Sequence, residues 1–204
     1  RPNTLDGCIL PNRIKSMLEN GVKMNILLYG SAGTGKTTTA KALCHQFNHN
    51  TLYINGSTEN SIDVVRNKIS EFAMNQSVLH YDNPIKVVLI DEADFLTLNA
   101  QSGLRATIEQ FAKNTRFILT CNYLEKISEP IQSRFQLVDF NFTSEEMTEI
   151  KMGQFKRVYE ICSKEGLKIT KEAALKMVQT YFPDFRSVVN HLQRYKLEGK
   201  ETID

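Results

Sequence analysis

The amino-acid sequence predicts an α/β fold, in which a parallel sheet of five strands is flanked by helices and followed by a small all-α domain. Short apolar segments alternate with amphipathic helical segments over the first two-thirds of the 204 residues, as in a doubly wound sheet. Two segments, KVVLID and RFILTC, lack polar alternation, which is typical of parallel strands covered on both faces. After Phe142 only helical patterns follow, so we predict an α/β domain at residues 1–142 and a helical domain at residues 143–204.

The predicted strands of the α/β domain are short, apolar and separated by helical segments. In SIDVVRNKISEF and SGLRATIEQFA, apolar residues recur at helical spacing and polar residues occupy the other face. The five predicted strands are Asn25–Tyr29, Thr51–Asn55, Ile85–Ile90, Thr115–Thr120 and Gln136–Phe140.

Three helical segments make up the predicted second domain. They are SEEMTEIKMGQFKRVYEICSKEG, TKEAALKMVQTYF and DFRSVVNHLQRY. Ser144, Thr170 and Asp184 are the predicted N-caps, because their side-chain oxygens can accept from the free N–H groups of a first helical turn.

The composition is that of an ordinary globular chain. Hydrophobic residues make up 41% and charged residues 24%, and the net charge is +2 at pH 7. This balance excludes a strongly basic protein, so any contact with nucleic acid must come from a local patch. No apolar segment approaches the roughly 20 residues of a membrane span. The four cysteines are widely spaced, which predicts free thiols in a reducing compartment and no zinc site. We expect a cytoplasmic protein with no membrane contact.

A phosphate-binding motif lies between the first predicted strand and the next helix. GSAGTGKT satisfies the pattern G-x-x-x-x-G-K-[ST], whose glycines let backbone N–H groups converge on phosphate oxygens. Lys36 supplies a positive charge for the β- and γ-phosphates, and the hydroxyl of Thr37 can bind Mg²⁺. The sequence therefore predicts a site for a nucleoside triphosphate. Its residues are Gly30, Ser31, Ala32, Gly33, Thr34, Gly35, Lys36, Thr37 and Thr38.

An acidic pair follows the third predicted strand, in KVVLIDEAD. Asp91 stands at the strand end, where it can hold Mg²⁺ together with Thr37. Glu92 can polarise a water for attack on the γ-phosphorus. Kinase-like proteins with the same phosphate motif need no such glutamate. The alternative is a solvated acidic turn. With the phosphate motif, the pair predicts an ATPase that uses ATP and Mg²⁺.

These motifs together resemble the AAA+ ATPases, which are P-loop NTPases with a helical lid, and specifically the clamp-loader ATPase subunits of the replication factor C type. The resemblance is carried by DEAD, LTCN and EPIQSRF, together with RPNTLDG, IDVVRNKISEFA and FPDFRSVVNHL. CILP, AKALCH and FPDFR are most similar to the large ATPase subunit of T-even-like bacteriophage clamp loaders. The resemblance covers nearly the whole chain.

The resemblance implies catalytic roles for three residues besides Lys36 and Glu92. Asn122, which closes LTCN, matches sensor 1, an amide that reads the γ-phosphate and orients water. Arg134 in QSRF matches the arginine finger, which reaches the ATP of a neighbouring subunit. Arg186 in DFRS matches sensor 2, which contacts phosphate from its own lid. The alternatives are a strand-end amide that satisfies backbone groups, a surface arginine and a helix-end ion pair.

The resemblance also implies contacts with adenine and packing near the arginine finger. Arg1 and Pro2 match the segment that lies near adenine. Phe135 stands where the family usually has Cys, a departure that changes packing and leaves the charge of the preceding arginine in place.

Contact with DNA is implied through helix N-termini that follow a phosphate backbone. In TENSIDVVRNK, Ser61 is a candidate N-cap, which would leave N–H groups for phosphate, and Arg66 and Asn67 lie on the polar face. Arg105 is a second cationic candidate. Gln101 matches the glutamine that couples DNA contact to the catalytic glutamate. The alternative is a solvated helix face.

The expected function is that of an ATP-hydrolysing subunit of a DNA polymerase sliding-clamp loader in DNA replication. ATP binding opens the clamp, and primer–template DNA triggers the hydrolysis that releases it on DNA. The partners implied are several copies of this subunit with a different fifth subunit, the sliding clamp and primer–template DNA. The family's collar domain follows the lid, and we expect it to be absent here because no residues follow Asp204.

Two other functions remain open at this point. One is an AAA+ DNA motor or initiator ATPase, such as a branch-migration helicase, although no pore-loop or hairpin insertion is evident between Asn55 and Ile85. The other is a nucleotide-dependent scaffold that hydrolyses little ATP. The isolated chain is expected to be a monomer with slow turnover.

Overall fold

The computed structural model describes residues 2–75, 85–199 and 202–203. These residues form two compact units, each with its own hydrophobic core. The first unit comprises the chain up to Cys8, Asn12–Gly30 and Lys36–Phe140, and the second comprises Ile9–Pro11, Ser31–Gly35 and the chain from Asn141 onward.

A five-stranded parallel sheet organises the first unit, as the sequence predicts. Its spatial order is β2-β3-β4-β1-β5, and all four neighbouring pairs run parallel. Each strand end lies within one residue of its predicted position. The strands are β1 (Ile26–Tyr29), β2 (Thr51–Asn55), β3 (Lys86–Asp91), β4 (Thr115–Cys121) and β5 (Gln136–Asp139).

The described residues of the first unit contain five α-helices. The central strands β3 and β4 are buried over most of their length, which explains their unbroken apolar sequences. Helix α3 buries Val65 and Ile69 of its predicted apolar face, together with Ala73. The helices are α1 (Asn12–Leu18), α2 (Lys36–Gln46), α3 (Ile62–Met74), α4 (Leu98–Gln110) and α5 (Glu129–Gln132).

Three helices dominate the second unit. They are α6 (Ser144–Glu165), α7 (Lys171–Tyr181) and α8 (Phe185–Leu197). The unit also contains a parallel pair of two-residue strands, β6 (Lys168–Ile169) and β7 (Thr202–Ile203), so the expectation of helices alone was incomplete. Strands this short carry no periodicity that a sequence pattern can reveal.

The helix caps of the second unit explain where its helices begin. Thr170 and Asp184 are the N-caps of α7 and α8, and their side chains accept backbone N–H groups, as predicted. The predicted cap Ser144 was wrong by one residue. Thr143 caps α6 instead, because its hydroxyl accepts from the N–H of Glu146 and the Glu146 carboxylate accepts from the N–H of Thr143.

All four cysteines lie among the described residues and are buried thiols outside any disulfide, as the sequence predicts. Burial raises the pKa of Cys44 to about 11 and that of Cys121 to about 12, so both thiols stay protonated near neutral pH. Within the described ranges, no helix combines the length and the apolar character that a bilayer crossing demands.

Candidate nucleotide and magnesium site

The glycine-rich turn has the backbone that its motif requires. Three of its glycines have positive φ angles, which residues with a Cβ adopt only at an energetic cost. The angles are 135° at Gly30, 77° at Gly33 and 100° at Gly35. The turn leads directly into α2, whose first residue is Lys36. The Lys36 side chain is only 6% exposed, and its Nζ donates to the carbonyl oxygen of Gly30 at 2.7 Å. This bond keeps the charge of Lys36 close to the glycine-rich turn.

The other motif residues complete the turn and the first turn of α2. The hydroxyl of Thr34 donates to the carbonyl of Ser31 at 2.9 Å, which tightens the turn. The N–H of Ser31 donates to Oδ1 of Asn141. Ala32 is exposed, and Thr38 is half-buried on α2.

A cluster of oxygen atoms surrounds Asp91 at the carboxyl end of β3. Thr37 donates to Oδ1 of Asp91 at 2.7 Å, and Thr120 of β4 donates to the same oxygen at 2.5 Å. The hydroxyl of Tyr53 donates to Oδ2 at 2.9 Å. A carboxylate and a threonine hydroxyl side by side are the hard oxygen ligands that Mg²⁺ prefers, so these residues fit the metal.

Sequence reasoning found Thr37 and Asp91 but missed Tyr53 and Thr120. Both lie on strands next to β3, and their reach to Asp91 depends on strand order and register. Neither residue belongs to a phosphate-binding motif, and the strand order could not be derived from a single sequence.

Glu92 has a left-handed backbone conformation, with φ 55° and ψ 45°. Its N–H donates to the hydroxyl of Thr120, which ties it to β4. Gly56 approaches closely, because its N–H donates to the carbonyl of Asp91 at 2.7 Å and a Cβ on Gly56 would lie 2.6 Å from the carbonyl oxygen of Glu92. The left-handed conformation of Glu92 costs of order 1–3 kcal/mol, and strained backbone of this kind is typical of functional sites.

Asn122 lies immediately after β4, on the same edge of the sheet as Glu92. Its side chain is half-buried, and its N–H donates to Oδ2 of Asp94 at 3.3 Å. Oδ1 of Asp94 is buried without a hydrogen-bond partner among the described residues.

Burial is the main cause of the raised Cys121 pKa; the Asp94 charge adds to it and the Lys36 charge opposes it. The carboxyl end of the sheet thus gathers opposite charges.

Arg134 follows α5 and is held by its own chain. Its Nε donates to Oε1 of Glu109 at 3.1 Å, and its Nη1 donates to the carbonyl of Pro130 at 2.6 Å. Arg105 lies 3.5 Å from the same Glu109 oxygen. The hydrogen bond and charge of Arg134 lower the pKa of Glu109. Arg134 and Arg105 therefore share the Glu109 carboxylate.

Arg186 lies in the first turn of α8 and is exposed. Its N–H donates to Oδ1 of Asp184 at 3.0 Å. A Cβ on Gly33, which belongs to the same compact unit, would lie 2.0 Å from that same oxygen. Arg1 lies outside the described residues, and Pro2 packs against Gly7.

The candidate DNA residues lie on α3 and α4. Ser61 is at the N-cap of α3, but its side chain accepts no capping hydrogen bond, so the predicted cap is formed by backbone conformation alone. Arg66 and Asn67 are exposed on α3. Arg105 is half exposed on α4, where it pairs with Glu109.

Gln101 lies in the first turns of α4 and is only 2% exposed. Its Nε2 donates to the carbonyls of Leu96 and Lys126, and its Oε1 accepts from the N–H of Ser128. This amide joins the start of α4 to the segment that follows β4. Its burial means that any contact with DNA is made by other residues.

Two family models match the chain. Residues 26–141 match the ATPase family associated with various cellular activities (AAA), and residues 146–204 match the AAA+ ATPase lid domain of the sliding-clamp-loader large subunit. The chain belongs to the AAA family of ATPases.

Curated relatives carry names from DNA replication. The replication factor C small subunit of Archaeoglobus fulgidus is 40% identical over 100% of this chain and 64% of its own length. The sliding-clamp-loader large subunit of Enterobacteria phage T4 is 38% identical over 98% of this chain and 64% of its own length. The chain thus spans a little under two-thirds of these relatives.

Solved structures confirm the fold. The Thermotoga maritima RuvB Holliday junction branch migration motor superposes with a TM-score of 0.74, covering 100% of this chain and 69% of that chain. At 21% identity this likeness concerns the fold alone.

Proposed function

We propose that this chain is the ATPase region of a sliding-clamp-loader subunit acting in DNA replication. The observation that carries the proposal is the match of residues 146–204 to the clamp-loader lid, on a chain about 40% identical to a replication factor C small subunit. ATP binding opens the clamp, and primer–template DNA triggers the hydrolysis that leaves the clamp on DNA. Residues 1–142 act as the nucleotide-binding domain and residues 143–204 as the lid.

The reaction is the hydrolysis of ATP to ADP and phosphate. The backbone of the glycine-rich turn and Lys36 bind the phosphates, and Thr37 and Asp91 hold Mg²⁺, which offsets phosphate charge when bound. Glu92 accepts the proton of the attacking water, and Asn122 orients that water toward the γ-phosphorus. The fixed backbone of Glu92 and its bond to Thr120 support this assignment.

Full activity needs a neighbouring subunit. Arg134 acts on the ATP of the adjoining subunit, and a guanidinium supplied in this way is worth roughly 10³–10⁵ in rate. In the single chain this guanidinium is paired with Glu109. Without an arginine from a neighbour, we expect slow turnover. Arg186 of the lid contacts phosphate within its own subunit, and the packing of Asp184 on Gly33 supports this.

DNA contact involves the exposed side of α3 and α4. Ser61, Arg66, Asn67 and Arg105 bind phosphates without reading sequence, which suits a machine that must act at any primer–template junction. Gln101 couples these helices to the catalytic edge of the sheet. The partners are further copies of this subunit, a different fifth subunit and the clamp, and the site of action is the cytoplasm.

Measuring ATP hydrolysis by the full-length protein with its partner subunits tests the proposal. Clamp plus primed DNA should stimulate the rate more than clamp alone or primed DNA alone. A Lys36→Ala variant serves as the inactive control. Stimulation by branched or duplex DNA without clamp would contradict the proposal and indicate a DNA motor. An unstimulated rate at the level of the control would indicate a scaffold.

A further inference from the structure

Tyr53 stands on the edge strand β2, outside every motif of the sequence. The strand register pairs Tyr53 with Leu89 and Asn55 with Asp91, so Tyr53 and Asp91 are diagonal neighbours on one face of the sheet. Diagonal neighbours lie within reach of long and aromatic side chains. The Tyr53 residue is 41% exposed, yet its hydroxyl donates at 2.9 Å to Oδ2 of Asp91, which is only 7% exposed.

A lysine fixes the Tyr53 ring from the side of α2. The Nζ of Lys41 lies 4.0 Å from the ring centroid, a distance at which a cation is attracted to the ring face. Lys41 follows Thr37 by four residues, so both side chains project from the same face of α2. The helix that supplies the threonine of the proposed metal site thus also holds the ring against the strand.

The two oxygens of the Asp91 carboxylate have different donors. Oδ1 accepts from Thr37 and Thr120, and Oδ2 accepts from Tyr53. Three elements, α2, β4 and β2, therefore fix the rotation of one carboxyl group. Donors of this kind orient a metal-binding carboxylate, and their removal typically weakens metal affinity by 10- to 100-fold.

We propose that Tyr53 is a positioning residue for Mg²⁺, and that its hydroxyl holds Asp91 in the rotamer that binds the metal beside Thr37. This inference rests on the proposed nucleotide site. The hydroxyl does not touch the reacting atoms, so its effect is expressed through the metal. Asp91 and Thr37 would hold the metal, and the bond from Tyr53 would keep the Asp91 carboxylate from rotating away from it.

A Tyr53→Phe variant of the full-length protein tests this role, because it removes one oxygen atom and keeps the ring on a half-exposed surface. Mn²⁺ is the probe, and its binding in the presence of ADP is followed by electron paramagnetic resonance. We expect the Mn²⁺ dissociation constant to rise about tenfold. Nucleotide affinity in EDTA should match that of the unchanged protein, since the metal is then absent.

A Lys41→Met variant is the matched control, since it removes the cation and keeps the hydroxyl of Tyr53. We expect a rise in the Mn²⁺ dissociation constant that is clearly smaller than that of Tyr53→Phe. Equal rises would overturn the role of the hydroxyl, as would an unchanged constant in Tyr53→Phe. Failure of the unchanged protein to bind Mn²⁺ with ADP would overturn the nucleotide site itself, and the role of Tyr53 with it.

Discussion

At the scale of single residues, the backbone at the carboxyl end of β3 depends on one close approach. Gly56 lies against the peptide of Glu92, where a Cβ would come within 2.6 Å of the carbonyl oxygen. That oxygen belongs to backbone, which cannot move aside as a flexible side chain can. The left-handed conformation of Glu92 and the glycine at position 56 therefore form one structural unit.

Replacing Gly56 by Ala should displace the Glu92 peptide. We expect a loss of about 1–3 kcal/mol in the free energy of unfolding, because the added methyl group overpacks a filled space. ATP hydrolysis should fall at the same time, since the carboxylate of Glu92 moves with its backbone. Urea unfolding and steady-state turnover measure the two effects. Full stability with full activity in the Gly56→Ala variant would mean that this contact constrains nothing.

Two buried threonines give a matched pair of substitutions. Thr120 makes hydrogen bonds to both Asp91 and Glu92, whereas the hydroxyl of Thr39 is buried without a partner among the described residues. Thr120→Val should cost about 1–3 kcal/mol of unfolding free energy, because it leaves buried polar groups unsatisfied. Thr39→Val should be neutral or stabilising by the same argument. Equal costs in urea unfolding would contradict the assignment of these bonds.

At the scale of secondary-structure elements, α4 connects several proposed roles. Gln101 anchors its start to the segment after β4, and Glu109 near its end holds Arg134. Arg105, between them, lies on the exposed side. A displacement of α4 would therefore move the arginine proposed to contact DNA together with the carboxylate that holds the proposed arginine finger.

The titration of Glu109 reports on the state of Arg134. Its pKa is lowered from the ordinary 4.5, first by the hydrogen bond from Arg134. The ion pair thus stabilises the fold above the ordinary pKa, and this contribution is lost as the pH falls through the lowered value. In an Arg134→Ala variant, the Glu109 pKa measured by carbon-13 NMR should move up toward 4.5. A larger upward move in Arg105→Ala than in Arg134→Ala would contradict this order of partners.

Sequence patterns predicted elements best where burial dictates them. The strands β3 and β4 were found because parallel strands covered on both faces have unbroken apolar sequences. The pair β6 and β7 was missed, because two residues give no periodicity. Thr37 and Asp91 were found from motifs. Tyr53 and Thr120 were missed, because their contacts arise from the order of strands that are distant in sequence.

At the scale of the whole molecule, the proposed ATP site lies within one chain, whereas Arg134 is proposed to serve the site of a neighbouring subunit. Lys36, Thr37, Asp91 and Glu92 lie on the elements that the phosphate motif and the acidic pair define. Arg134 is bound instead to Glu109 and Pro130 of its own chain. The central claim is therefore that each triphosphate is bound by one subunit and its cleavage is completed by the next.

Mixing two inactive variants tests that claim most directly. Full-length Lys36→Ala and Arg134→Ala proteins are each assembled with the partner subunits, alone and mixed, and ATP hydrolysis is measured with clamp and primed DNA. Each variant alone should be inactive, and the mixture should regain measurable activity. An intact Arg134 next to an intact Lys36 then occurs at some interfaces between subunits. A mixture that assembles fully yet stays as inactive as either variant would contradict an arginine supplied by the neighbouring subunit.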